Sequence, residues 1–125
     1  MFRLINLATC LTSALFLGTM GQTPAADKTS PGGRLARDVN KGNCLACHQI
    51  PHDPLAITSA NIGPPLLAMR SRFPDRAALQ AQIWDAAKAN PNTVMPPYGK
   101  HDILTSNEMG QIVEYLYALD EGATP

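Results

Sequence analysis

The clearest periodic pattern of apolar side chains lies near the carboxyl end of the chain. Apolar residues recur there at the three- and four-residue spacing that places side chains on one face of an α-helix, and they are Met109, Ile112, Val113, Leu116 and either Leu119 or Ala118. Thr105 and Glu108 match a capping box, a pair of side chains three residues apart that starts many helices. The pattern predicts a helix that begins just after Thr105 and buries this apolar stripe.

Two shorter patterns predict further helices. Residues 34–43 carry a thin apolar spacing that is compatible with a short helix. Asp75 is a suitable N-cap for another helix, which Pro91 would end. The apolar positions of that helix are Leu79, Ile83 and Ala86 or Ala87. Because no alternating strand pattern and no internal repeat occurs, the predicted fold class is all-α, with three or four short helices joined by long loops.

Prolines interrupt the chain in two places and predict extended loops there. Residues 49–68 contain four prolines, which exclude a long helix, and residues 90–101 contain three prolines and a glycine. Loops of more than about 12 residues are uncommon in compact domains unless they serve a function. Wrapping a large prosthetic group is one such function, because the bound group supplies contacts that a loop cannot make with itself.

The amino-terminal residues 1–25 have the three-part pattern of a signal peptide. A positively charged start at Arg3 precedes an apolar stretch from Leu4 to Met20, and small residues follow near Ala25. The stretch is shorter than the roughly 20 residues that span a bilayer, so we expect export without stable membrane insertion. Cys10 would leave with the signal peptide, and a lipid anchor there is not expected. Residues 26–33 have linker composition and predict a flexible arm, followed by one domain over residues 34–125.

Length and charge narrow the class of protein. A chain of 125 residues suits one small domain, and 10 Lys plus Arg residues balance 10 Asp plus Glu residues. This balance does not indicate a nucleic-acid surface, which would show a basic excess. Arg70, Arg72 and Arg76 form a local basic patch, which predicts either a solvated face or a docking surface for an acidic partner.

The motif that carries chemistry is Cys44-Leu45-Ala46-Cys47-His48, the C-x-x-C-H attachment sequence of c-type haem. On a helical turn, positions three and four apart share a face, so both thiols can reach one porphyrin edge and His48 can bind the iron. A zinc site would need about four ligands, for which only His52 and His101 are spare. A thioredoxin-like pair would need a βαβ context, and a plain disulfide would leave His48 unexplained. We therefore predict one covalent haem.

The sixth position on the iron has several candidates, of which Met95 is the preferred one. It lies in a stretch whose following prolines stiffen the backbone, and a weakly binding thioether must be held in place by its loop. Met69 lies only 21 positions after His48, which we expect to be too near, and Met109 belongs to the helical stripe. His101 is the serious rival. Ligation of the iron by His48 and Met95 would raise the reduction potential of the haem.

Two other segments stand out. Gly63-Pro64-Pro65-Leu66 cannot be helical, and the carbonyl of Pro64 is either an acceptor for the second ring nitrogen of a ligating histidine or part of an ordinary rigid turn. The indole N–H of Trp84 could donate a hydrogen bond to a haem propionate. A place in the core is the more ordinary expectation for this residue.

These motifs, in this order, resemble those of class I cytochromes c. In that family the proline carbonyl bonds the axial histidine, which implies a bond between Pro64 and His48. The first and last helices of the family cross, which implies that Tyr115 and Leu116 pack on the helix at 34–43.

A narrower set of segments resembles the SoxX family, the monohaem subunits of the SoxAX cytochromes of sulfur oxidation. The segments are Gly42 through His48, Ile62-Gly63-Pro64-Pro65-Leu66, Arg72-Phe73-Pro74, Gln82-Ile83-Trp84-Asp85 and Asn90-Pro91-Asn92-Thr93-Val94-Met95-Pro96-Pro97-Tyr98-Gly99. The resemblance implies a periplasmic electron-relay subunit of an L-cysteine S-thiosulfotransferase, with a SoxA-like haem subunit, a SoxYZ-like carrier protein and a downstream cytochrome c as partners. Cys44 and Cys47 would hold the haem and His48 and Met95 would bind the iron. No catalytic residue is expected on this chain.

Two other functions stay open at this point. One is a free-standing soluble electron carrier, which would purify alone as a monomer. The other is a ligand-binding haem sensor, which would need an open iron site and would bind carbon monoxide rapidly when reduced.

Overall fold

The computed structural model describes residues 29–121, which form four α-helices and two short 3-10 turns. The α-helices are α1 (Pro31–Arg37), α2 (Met69–Arg72), α3 (Arg76–Trp84) and α4 (Ser106–Glu121), and the 3-10 turns are Cys44–Ala46 and Ala86–Lys88. No β-strand occurs within residues 29–121, so the all-α prediction is confirmed. The predicted signal peptide lies outside the described residues. Within them, no helix has both the length and the apolar character needed to cross a membrane.

Helix α4 starts and packs as the sequence predicts. The Thr105 amide donates to a carboxylate oxygen of Glu108 over 2.8 Å, and the Glu108 amide donates to the Thr105 hydroxyl over 3.2 Å. These reciprocal bonds satisfy two amides that the first helical turn leaves without partners. The predicted stripe is buried, and Met109, Ile112, Val113, Leu116 and Leu119 are each at most 3% exposed. The core of the domain therefore lies along this face of α4.

Helix α1 crosses α4, but its bounds differ from the prediction. It begins at Pro31, three residues earlier than expected, and ends at Arg37, so residues 31–33 belong to the helix and not to a flexible arm. Ser30 caps it by accepting from the Gly33 amide over 3.2 Å. A Cβ at Gly32 would lie 2.8 Å from Cβ of Tyr115 and closer still to the backbone of Gln111. A glycine therefore permits the close helix crossing, and Tyr115 packs on α1 as the class I resemblance implies.

A buried charged cluster joins α1 and α4 to the loop that follows the C-x-x-C-H motif. Asp53 is 3% exposed, and its carboxylate accepts from the guanidinium of Arg37 and from the Tyr115 hydroxyl, the latter over 2.5 Å. The second oxygen of Asp53 accepts from the Leu55 amide over 2.8 Å. Because a buried carboxylate needs such partners, the cluster fixes where the loop lies against the two helices.

Helix α3 begins as predicted and ends earlier. The Asp75 side chain accepts from the Ala77 amide over 2.9 Å, which confirms the predicted N-cap. The helix stops at Trp84, and the chain continues as the 3-10 turn Ala86–Lys88. The expectation that Trp84 is a core residue is wrong, because its side chain is 39% exposed and lies across Gly99. The indole packs there because the backbone carbonyl of Trp84 accepts from the Gly99 amide over 3.2 Å.

The arginines of the predicted basic patch have different surroundings. Arg76 pairs with Glu114 over 2.5 Å, and its guanidinium lies 4.8 Å from the ring centre of Tyr117, over which Arg70 also lies at 5.5 Å. Arg72 instead donates to the carbonyl of Pro65 over 3.0 Å. The patch is therefore divided between a surface on α4 and the neighbourhood of the Pro64–Pro65 segment.

Candidate haem site

All four residues predicted to hold the haem line one cavity of about 450 Å³. Cys44, Cys47 and His48 contribute one part of its wall, and Met95 comes from the loop before α4. Apolar side chains from all parts of the domain complete the wall, namely Ile62, Leu66, Met69, Phe73, Leu79, Ile83, Val94, Leu104, Ile112 and Leu116. The volume lies within the range of about 300–1,000 Å³ that small-molecule and cofactor sites occupy. The fold therefore brings Met95 to the same cavity as Cys44, although the two residues are 51 positions apart in the sequence.

The two cysteines lie on a tight turn that the residue before them makes possible. Asn43 has a φ of 45°, in the left-handed region that asparagine tolerates better than most residues. The 3-10 turn Cys44–Ala46 follows, and the Cys44 carbonyl accepts from the amides of Cys47 over 3.2 Å and His48 over 2.8 Å. These bonds bring all three side chains to the same cavity wall. Cys44 and Cys47 are not joined by a disulfide.

His48 is oriented by the segment that follows Ile62. Its Nδ1 lies 2.6 Å from the carbonyl oxygen of Pro64, as the class I resemblance implies. A carbonyl oxygen only accepts hydrogen bonds, so Nδ1 carries a proton, and in the neutral imidazole Nε2 then has the lone pair. A Cβ at Gly63 would lie 2.6 Å from Nδ1 and 2.7 Å from Nε2, so the absence of a side chain there gives the imidazole its place. The arrangement prepares Nε2 to bind a metal.

Met95 is presented by a loop that local hydrogen bonds stiffen. The Met95 amide donates to the Thr93 hydroxyl over 3.1 Å, and the Thr93 amide donates to the Asn90 carbonyl over 3.0 Å. The side chain of Asn90 accepts from the Asn92 amide over 3.1 Å. Two prolines follow Met95 and fix the backbone further. The half-buried side chain of Met95 contacts the hydrophobic core and faces the cavity.

The competing ligands have different positions. His101 is exposed and does not line the cavity, and Met109 is fully buried in the stripe of α4, as predicted. Met69 also lines the cavity and is 2% exposed, so a second thioether lies in the wall, and its exclusion as a ligand stays a prediction. Met69 is the first residue of the short helix α2 and follows Ala68, whose φ is 52°. Met95 and Met69 are thus the two thioethers within the candidate site.

Burial disfavours the charged forms of two side chains on the cavity wall. Burial raises the pKa of Cys44 to about 11, whereas the nucleophilic cysteine of a thioredoxin-like pair has a lowered pKa. Burial, with the nearby cysteine sulfurs as a smaller cause, raises the pKa of Tyr98 to about 12. Among residues 29–121, no group of three or more His, Cys, Asp and Glu side chains could hold a metal ion. The raised pKa of Cys44 counts against a thioredoxin-like nucleophile at that position.

Two large apolar side chains of the cavity wall are exposed to solvent. Ile62 and Val94 line the cavity and are 66% and 77% exposed. Large exposed apolar side chains at the edge of a site are typical of surfaces that contact another molecule. Both residues belong to segments that resemble SoxX, but no periodic pattern marks them as exposed apolar positions, because each lies in a proline-containing loop.

No family model matches the chain. An uncharacterized lipoprotein of Aquifex aeolicus (strain VF5) is 36% identical over 77 residues, which cover 62% of this chain and 36% of the relative, so the match spans about a third of that protein. A chain of the crystal structure of SoxXA from P. pantotrophus is similar in fold, with a TM-score of 0.63 and 26% sequence identity, over 72% of this chain and 80% of that chain. The likeness confirms the SoxX-like resemblance and the class I cytochrome c-like fold that the sequence motifs predict.

Proposed function

We propose that this chain is a periplasmic c-type cytochrome with one covalently bound haem. In this proposal it is the electron-transfer subunit of a SoxAX-like complex that conjugates thiosulfate to a carrier-protein cysteine. The observation that carries the proposal is the meeting of two thiols, an oriented imidazole and a thioether around one mainly apolar cavity. The candidate signal peptide supports export, and the likeness to a SoxXA chain supports a part in sulfur oxidation.

The side chains fit the cofactor in kind and in place. Cys44 and Cys47 would hold the porphyrin edge through two thioether bonds, and His48 would bind the iron through Nε2, the ring nitrogen left unprotonated by the bond to Pro64. Met95, in the loop before α4, would supply its sulfur to the iron. A bound haem of this type supplies a one-electron couple, whose potential a methionine ligand raises. The apolar wall would keep water from the metal and so stabilise the less charged, reduced state.

The chain's part in the complex is electron relay. No Asp or Glu lines the cavity among the described residues, and the two described cysteines are both committed to haem attachment in this proposal. The conjugation chemistry is therefore assigned to a SoxA-like haem subunit, with a SoxYZ-like protein as carrier. A downstream cytochrome c would take the electrons.

Contact with the SoxA-like subunit is assigned to Ile62 and Val94, the two large exposed apolar side chains of the cavity wall. Electron exchange requires the two redox groups to approach, and exposed apolar side chains at the edge of the site favour a dry contact. Val94→Asp should therefore weaken association with the second haem chain. Val39→Asp is the matched control, because Val39 is 72% exposed but does not line the cavity. Equal weakening by both variants, or elution of the native chain alone, would contradict the docking assignment.

The ligand assignment is tested with two methionine variants. Met95→Leu should abolish the far-red charge-transfer band between methionine and oxidised iron, because leucine keeps the volume and removes the sulfur. Met69→Leu should leave the band in place, although Met69 also lines the cavity. Loss of the band in Met69→Leu alone would transfer the ligand role to Met69. A mature protein that is colourless when recovered from the periplasm would overturn the haem proposal itself.

A further inference from the structure

The buried ion pair between Arg37 and Asp53 lies close to the turn that carries the cysteines. A Cβ at Gly42 would lie 3.2 Å from Cα of Ala36 in α1 and 3.3 Å from Sγ of Cys44. A single glycine therefore separates the Cys44 sulfur from the part of α1 that bears Arg37. The same guanidinium donates to the Asp53 carboxylate, so both charges of the pair belong to the surroundings of that sulfur.

Tyr115 connects this ion pair to Cys44 from the side of α4. Its hydroxyl donates to the Asp53 carboxylate over 2.5 Å. Burial, and then this hydrogen bond, raise the pKa of Tyr115, and the Cys44 sulfur is close enough to add to the rise. The tyrosine is therefore uncharged at neutral pH, and the charges of the cluster are those of Asp53 and Arg37.

Both charges of the pair are shielded from solvent. The side chain of Asp53 is fully buried, and that of Arg37 is 17% exposed. Water and salt screen interior charges less than surface charges, so interior charges act over longer distances. The pair formed by Arg76 and Glu114 differs in this respect, because its side chains are 53% and 60% exposed.

We propose that the buried pair of Arg37 and Asp53 sets the reduction potential of the haem, resting on the haem function proposed above. Because oxidation adds one positive charge at the iron, the Asp53 carboxylate favours the oxidised state and the Arg37 guanidinium favours the reduced state. The two contributions oppose each other in the native protein. Removal of either charge should therefore shift the potential, in opposite directions.

The test is the reduction potential of holoprotein at about pH 8, well above the ordinary pKa of a carboxyl group. Asp53→Asn keeps the shape of the side chain and leaves the cation, so the potential should rise. Arg37→Gln leaves the carboxylate, which still accepts from Tyr115 and from the Leu55 amide, so the potential should fall. We expect each shift to be about three- to tenfold in the oxidised-to-reduced ratio at a fixed applied potential, or about 30–60 mV for a one-electron couple. The double variant should lie between the two single variants.

The opposite signs separate this role from a purely structural one, because damage to the helix crossing would move both potentials in the same direction. Arg76→Gln and Glu114→Gln are the matched controls, since they remove the same two charges from an exposed pair. Each control should shift the ratio by less than about twofold, because solvent screens exposed charges. The far-red methionine band should persist in all variants, because the iron ligands do not change.

Three results would overturn the assignment, namely shifts of the same sign in Asp53→Asn and Arg37→Gln, no shift in either variant, or equal shifts in the exposed pair. If Asp53→Asn yields no folded holoprotein, Arg37→Gln decides. A lower potential than in Arg76→Gln then supports the assignment, and an equal or higher one overturns it. All these results are obtained on protein that contains haem, so the proposed function would stand. Failure of the proposed function would instead appear as a native protein without haem.

Discussion

Gly63 gives the sharpest test of how the backbone positions the axial imidazole. An alanine there would place its Cβ 2.3 Å from Cε1 and 2.6 Å from Nδ1 of His48, whereas ordinary contact begins at 3.4 Å, so the ring must withdraw by about 1.1 Å. The bond from Nδ1 to the Pro64 carbonyl is 2.6 Å long, and a shift of that size takes it past the roughly 3.2 Å limit of good N–H···O bonds. Gly63→Ala should therefore break this bond.

Two effects lower the free energy of unfolding of Gly63→Ala. A lost hydrogen bond contributes about 0.5–1.5 kcal/mol, and forcing an extra methyl into a packed site costs about 1–3 kcal/mol. The described glycines all have negative φ, so alanine is not excluded by backbone conformation and recovers about 0.4–1 kcal/mol through the unfolded state. We expect a net loss of about 2 kcal/mol in the free energy of unfolding.

Two measurements on holoprotein check this prediction. Denaturant titration gives the free energy of unfolding, and NMR gives the solvent exchange of the Nδ1 proton of His48, which should become faster in Gly63→Ala. Gly110→Ala is the matched control, because a Cβ at Gly110 in α4 meets nothing within 4 Å and alanine should stabilise the helix by about 0.5–1 kcal/mol. A Gly63→Ala protein of native stability with a protected Nδ1 proton would refute the positioning role.

Three further predictions concern the scaffold. Ala68 has a φ of 52°, which costs a residue with a side chain about 1–2 kcal/mol, so Ala68→Gly should raise the free energy of unfolding by about 0.5–1 kcal/mol; a decrease would be contrary evidence. Tyr115→Phe removes the bond to the buried Asp53 carboxylate and should cost about 1.5–3 kcal/mol in denaturant unfolding, whereas no change would argue against the cluster. Hydrogen bonds from Lys41 and from Thr105 lower the pKa of Glu108 from 4.5 to about 2, so this carboxylate stabilises the fold above pH 4.5 and the gain is lost as pH falls toward 2. Glu108→Gln should lose less stability over that pH range than the native protein, and equal losses would speak against this linkage.

The best sequence predictions concern features encoded within a few residues. The capping box and the apolar stripe of α4 are local patterns, and the structure contains both as predicted. The C-x-x-C-H motif is contiguous, and its three functional side chains share one cavity wall. Such features need no knowledge of the remaining chain, because helical periodicity and capping act within one or two turns.

The features that the sequence does not predict depend on distant contacts. Helix α1 begins at Pro31 because the following glycine allows close packing on α4, and a seven-residue helix has little stability without such packing. Met69 lines the cavity as the first residue of a four-residue helix, for which residues 69–72 show no apolar period. Arg72 appears in the sequence as one of three equivalent arginines. Only the fold separates it from the two that lie over Tyr117.

The two sides of the candidate haem site are supported in different ways. The side that bears His48 is tied to the helix crossing, because Lys41 pairs with Glu108 over 2.8 Å and Asp53 joins Arg37 to Tyr115. The hydrogen bonds described for residues 90–95 are local turns, and hydrogen bonds to α3 resume only at Gly99, although Met95 itself packs against the core. Segments with few long-range hydrogen bonds open at lower free energy than the core. The histidine side is therefore built to stay in place, and the thioether, the weaker ligand, comes from the side that can open first.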